Sequence, residues 1–124
     1  YIPIKRGDRE SHRLALEASA GWLKKNVSML FFPEGTRSTL GKPKEFKIGA
    51  FKLAADNQTS ILPVVLHGAG KLLKKGTLAP HASVLKIKVL PQVDLAPGES
   101  VHEFTKRVET LIHQEHALLA QDRT

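Results

Sequence analysis

The sequence contains no cysteine, which removes a disulfide framework and thiol chemistry and leaves the redox compartment open. Aromatic residues are scarce, with one Tyr and one Trp beside five Phe. There is no ladder of exposed aromatics and no basic recognition helix, so charge alone would draw nucleic acid and nothing reads bases. No stretch approaches the roughly 18 apolar residues of a membrane-spanning helix, and no signal-peptide pattern opens the chain. Acidic residues are also in short supply: 12 against 19 Lys or Arg, for a net charge of +7. The excess is uneven, with 11 basic and 6 acidic side chains in residues 1–62 against 8 and 6 in residues 63–124. A solvated basic surface is one reading of this; an anionic small ligand, anionic lipid or nucleic acid are the others. The length of 124 residues suits one domain with a real core.

Several nucleotide and hydrolase motifs are missing as well. No GxxxxGK[ST] loop occurs, "HGAGK" at 67–71 being too short and lacking the hydroxyl. Gly68 and Gly70 supply only part of a GxGxxG, and there is no GxSxG elbow.

What is present reads as an α/β layered domain. "YIPIK" reads as the tail of a strand near residues 2–5, which predicts a fragment whose beginning lies elsewhere. Asp8 is placed to cap a helix from Glu10 to Lys25, on which Leu14, Ala18 and Trp22 recur every four residues and Leu16, Ala20 and Leu23 widen the stripe. Asn26 ends it. "VSMLFF" at 27–32 and "SILPVVLHG" near 60–66 look apolar on both faces, as in a parallel sheet covered by helices. Between them "KIGAFKLAADN" puts Phe51, Ala54 and Ala55 on one side of a short helix. A strand near 84–90 alternates, Val84, Lys86 and Lys88 on one side and Leu85, Ile87 and Val89 on the other, as on a half-exposed edge. Ser100 and Glu103 form a capping box before a long helix marked by Val101, Phe104, Val108, Leu111, Ile112 and Leu118. The expected fold is therefore a layered mixed or mostly parallel sheet flanked by helices.

Ligands in such sheets sit past the carboxyl ends of strands, and that is where the chemistry-bearing residues fall. Pro33 stops the strand "VSMLFF" because it has no amide for a ladder, and Glu34, Gly35, Thr36 and Arg37 follow at once. Gly35 permits a tight turn or a close approach to a ligand. Arg37 offers a planar fork suited to phosphate and Thr36 a hydroxyl. Lys42, Lys44, Lys47 and Lys52 add positive charge nearby. Arg6 ends the first strand in the same sense, so parallel neighbours would bring Arg6 and Arg37 to one rim as a cradle for a phosphate monoester. The bland alternative is a solvated arginine with a weak local Glu34–Arg37 pair.

The histidines are read as bystanders. His113 and His116, three apart with Glu115 between them, lack a third ligand and are expected on the surface; His67 follows a core strand as a rim residue. His12 and Glu17 have the look of a base and its orienting carboxylate, but five positions on a helix diverge by roughly 140° at about 3.6 residues per turn, which makes their hydrogen bond strained.

"FFPEGTRS" resembles the third signature block of the glycerolipid acyltransferase family. "IPIKRGDRES" is similar to the second block, which sets Arg6 on the family's phosphate-binding arginine. "FKIGAFKLA" resembles the segment after the third block, and "ILPVVLHG" the fourth, with Pro63 on its characteristic proline. Block order agrees over residues 1 to about 92; the last helix is similar only in kind. The resemblance implies a glycerolphosphate-acyltransferase-like fold, of which residues 1–124 would be the carboxyl-terminal portion. It implies transfer of a fatty acyl group from acyl-CoA or acyl carrier protein to the sn-2 hydroxyl of 1-acyl-glycerol 3-phosphate, giving phosphatidic acid. The thioester is a co-substrate and no further cofactor is implied. Arg6, Glu34, Gly35, Thr36 and Arg37 would line the acceptor's phosphate, with Lys47 and Pro63 supporting. The family's base is a histidine in an H-x4-D block upstream of the second; His12–Glu17 falls after it and ends in glutamate, so no catalytic residue carries over and this chain alone is expected to be inactive. Association with a membrane of acidic lipids is expected, anchored mainly by a segment not contained in these residues. The competing reading is a noncatalytic basic module that binds acidic lipid or nucleic acid.

Overall fold

The computed structural model describes residues 1–36, 43–72, 76 and 79–122. Its elements run α1 (Arg9–Lys24), α2 (Gly49–Asp56), β1 (Val64–His67), α3 (Ala69–Leu72), β2 (Lys86–Val89) and α4 (Val101–Gln121). Each long helix starts where the sequence provides a cap. Asp8 accepts from the Glu10 and Ser11 amides of α1 at 3.0 and 3.4 Å. Ser100 and Glu103 close the expected box on α4, at 3.1 and 2.8 Å. Asn26, at φ 58°, turns the chain out of α1 in the left-handed region that Asn tolerates.

The core lies between α2 and α4. Phe51, Phe104 and Val108 are buried together, with Phe46, Ala50, Ile61, Val93, Val101 and Ile112 packed around them. The Phe51 and Phe104 rings meet edge to face, 5.7 Å between centroids and 90° between planes, a favoured aromatic geometry. At the start of α4, Arg107 lies 5.2 Å from the Phe104 ring centre. Its guanidinium donates two bonds to Glu99, at 2.7 and 2.9 Å, and one to the Asp94 carbonyl at 2.7 Å. That fork, aided by the Ala96 amide, holds the Glu99 carboxyl down at about 2.

Helices flank a sheet as expected, but the described sheet is one antiparallel pair, β1 with β2, in the register Val64↔Val89 to His67↔Lys86. Residues 2–5 and 27–32 join no ladder among the described residues. A ladder needs backbone groups paired with a neighbouring strand at about 4.8 Å, and these two segments make no such pairs among the described residues; Leu30 and Phe32 are largely exposed.

Two faces depart from a simple reading of the pattern, although Leu16, Ala20 and Leu23 of the α1 stripe are partly buried. On α1, Leu14 and Trp22 are exposed while Ala15 and Ser19 are buried. The buried Ser19 hydroxyl is satisfied by the Ala15 carbonyl at 2.8 Å. Leu16 of the same helix lies against Gly49 at the start of α2. On β2, the lysine side turns toward α4 and the apolar side is bare, with Ile87 and Val89 about 60% exposed. Lys88 pairs with Glu115 at 2.5 Å. Lys86 reaches the Leu119 carbonyl at 3.4 Å, the Asp122 carbonyl and the Asp122 carboxylate. The last carbonyls of a helix lack intrahelical partners and carry partial negative charge, so a lysine is well placed there.

Phe104→Ala removes a fully buried ring from the only aromatic edge contact between α2 and α4 among the described residues. It should cost about 3–5 kcal/mol of unfolding free energy in urea titration. Leu118→Ala, on the exposed side of the same helix, should change it by less than about 0.5 kcal/mol.

Candidate functional site

The turn after Phe32 is built as its residues dictate. The Gly35 amide donates to the Phe32 carbonyl at 3.0 Å, closing a four-residue turn with Pro33 at its second position, where a fixed φ is an advantage. Gly35 has φ +69°, and an added Cβ would lie 2.8 Å from Lys47 Nζ and 2.9 Å from Cε. Glycine is called for by the left-handed backbone, and the flexible end of the lysine crosses over it.

The segment 43–47 folds back over this turn. The Lys47 amide donates to the Pro33 carbonyl at 2.8 Å, and the Lys44 amide donates to Glu34 Oε2 at 2.8 Å. Glu34 therefore organises the backbone that follows it. Lys47 forms no ion pair among the described residues, so a free ammonium is held against Gly35. Lys52 points elsewhere, pairing with Asp56 on α2 at 2.8 Å. Thr36 and Arg6 are exposed. Arg37 and Lys42 lie outside the described residues. Pro63 is buried before β1, and its carbonyl accepts from the Leu90 amide at 3.0 Å; its place is in the hairpin.

Two features were not legible in the sequence. Glu109 of α4 is buried, and its carboxylate accepts from the Phe46 amide at 2.5 Å and from Lys106 Nζ at 3.1 Å. Burial opposes its charge, but the Phe46 amide, Lys106 and His113 outweigh that and hold its carboxyl below the usual range. The histidines expected on the surface are also partly buried. His67 Nδ1 and His116 Nε2 are 3.3 Å apart, and the His113 ring stands edge-on to Phe46 with its Nε2 enclosed and unpartnered. No group of the described residues has the arrangement of a metal site. His12 is exposed, and Glu17 pairs with Arg13 instead.

With this geometry in place, comparison with known proteins is specific. A family model described as acyltransferase matches residues 1–67, more than half of the 124. The chain belongs to the acyltransferase family. Within it the chain stands with the glycerolipid acyltransferases. It is 42% identical over 76 residues to a chloroplastic 1-acyl-sn-glycerol-3-phosphate acyltransferase of Arabidopsis thaliana, covering 61% of this chain and 21% of that protein. It is 40% identical over 95 residues to a 1-acyl-sn-glycerol-3-phosphate acyltransferase of Chlamydomonas reinhardtii, covering 73% and 29%. The crystal structure of the 1-acyl-sn-glycerophosphate acyltransferase of Thermotoga maritima matches at a TM-score of 0.83 and 30% identity, over 89% of this chain and 46% of that one. The α/β fold class is thereby shown, and the chain spans less than half the length of each of these relatives.

Burial and the neighbouring His67 hold His116 below the usual imidazole range, with Glu34 pulling the other way and His113 adding to the depression. The fold thus prefers neutral His116, and the unfolded chain takes up the proton first. Stability should be full above about pH 6.5 and fall as pH drops through the lower folded value. His116→Gln should flatten the fall in urea midpoint that begins just below about pH 6.5, a range above that of the depressed carboxyls Glu99 and Glu109.

Proposed function

We propose that this chain supplies the acceptor-headgroup half of an enzyme that transfers a fatty acyl group from a thioester to the sn-2 hydroxyl of 1-acyl-glycerol 3-phosphate. The observation that carries the reading is the free Lys47 ammonium held over Gly35 beside Glu34. A phosphate monoester brings about two negative charges, and a cation beside a glycine turn meets it without a side chain in the way. Arg6, Thr36 and Arg37 complete the headgroup contacts. Glu34 orients the site through the Lys44 amide. Proton removal from the glycerol hydroxyl belongs to a histidine–aspartate pair, and the sequence has no H-x4-D in any register. The hydroxyl oxygen then forms an ester to the acyl carbon while the C–S bond breaks and the thiol leaves with a proton.

The donor is acyl-CoA or acyl carrier protein. The setting is a membrane surface: both the acceptor and its product are amphiphilic, no described helix is long and apolar enough to cross a membrane, and a net charge of +7 favours acidic lipid. Anchoring rests mainly with a segment outside these residues.

In the complete enzyme, Arg37→Ala should raise KM for 1-acylglycerol 3-phosphate roughly 10- to 100-fold, as loss of a charge-assisted contact of about 1.5–3 kcal/mol requires. KM for the thioester donor should move much less, and the 124 residues alone should turn over neither substrate. Equal losses toward both substrates would point to a folding defect. Tight, sequence-selective nucleic-acid binding would favour the noncatalytic basic module instead.

A further inference from the structure

We propose that Glu109, 75 residues downstream of Glu34 on the last helix, is a positioning residue for the headgroup site: by holding the Phe46 amide it sets Lys47 over Gly35, where the ammonium meets the acceptor's phosphate. This rests on the headgroup reading given above.

A carboxylate is a costly choice at this place on α4. Glu109 is 8% exposed and lies beside the fully buried Val108 and Phe104, where an apolar side chain would pack without desolvating a charge. Its partners explain the choice. The loop at 43–47 has no strand beside it, so the Phe46 amide would be an orphan donor against the core; Glu109 Oε2 accepts it at 2.5 Å. The next amide along, that of Lys47, donates to the Pro33 carbonyl at 2.8 Å. Two consecutive amides thus tie the loop to α4 on one side and to the turn on the other. The Phe46 ring is held as well, stacked on Phe51 at 6.1 Å and edge-on to His113 at 5.5 Å.

The consequence falls on Lys47. Its backbone is fixed between two anchors, and its stem passes within 2.8–3.2 Å of the place a Gly35 Cβ would occupy. A lysine carries a flexible four-carbon stem, so a fixed root is what keeps its ammonium at the turn. Removing the Glu109 acceptor frees the root while leaving Lys47 itself in place. Lys106, the other partner of Glu109, also reaches toward Glu45 at 3.8 Å and tightens the same junction.

The test is a double-mutant cycle in the complete enzyme, read as KM for 1-acylglycerol 3-phosphate and for the thioester donor, with the thermal midpoint of each variant. Glu109→Met removes the acceptor at similar volume and should raise acceptor KM about tenfold, with donor KM within about twofold. Glu109→Gln keeps a neutral acceptor for the Phe46 amide and should recover most of the loss. In a Lys47→Ala background, Glu109→Met should add nothing further to acceptor KM. Additive effects, or a lowered midpoint with both KM values unchanged in Glu109→Met, would overturn the proposal, as would an unchanged acceptor KM in Lys47→Ala. Arg37→Ala run beside them separates the two ideas: if it still raises acceptor KM, only the role of Glu109 falls, and if it too is silent, the headgroup reading falls.

Discussion

The edge-to-face contact of Phe51 with Phe104 is what the rest of this structure hangs from. It joins the short helix after the signature turn to the long final helix, in a chain whose sheet is otherwise a single hairpin among the described residues. Phe46 extends the same aromatic cluster toward the turn, so packing in the core and geometry at the site are parts of one arrangement. Burial of Phe51, Phe104 and Val108 supplies the non-directional attraction between α2 and α4. The buried Glu109 and the Glu99–Arg107 fork then decide which residues face which.

That division explains what could be read from the sequence and what could not. Caps are local: Asp8, Asn26, Ser100 and Glu103 act on amides or φ angles within a few residues, and all four do what their positions predict. The turn at Pro33–Gly35 is local too, and its need for glycine follows from the order of residues. The family blocks are equally legible, since they are contiguous strings. Choices that depend on distant partners were not. Periodicity marks Leu14, Ala18 and Trp22 as a packing stripe, yet Ala15 and Ser19 are the residues buried and Leu16 is the one against Gly49 of α2. Alternation sets Lys86 and Lys88 on the side opposite Leu85, Ile87 and Val89, and the carbonyl end of α4 and Glu115 draw that side in. Glu109 reads as one more charge on an amphipathic helix, because its partner amide is 63 residues away.

The bare apolar side of the hairpin and the exposed Leu30 and Phe32 belong with the same observation. These side chains have the composition of interior strands, and Leu30 and Phe32 fall within the residues the family model matches. The chain covers 46% of the solved relative from Thermotoga maritima. The turn after Phe32 is different, because its hydrogen bonds are made within residues 32–36, residues 43–47 and α4.

The central claim is that a phosphate monoester binds at the turn where Lys47 crosses Gly35. The most direct measurement is amide chemical-shift mapping of this chain titrated with glycerol 3-phosphate, with inorganic sulfate at equal ionic strength as the reference. The account predicts saturable shifts centred on Gly35, Thr36 and Lys47, with little change at Lys71 and Lys86 on the hairpin end. Shifts centred on Lys71 and Lys86, or a response to sulfate identical in pattern and strength, would contradict it.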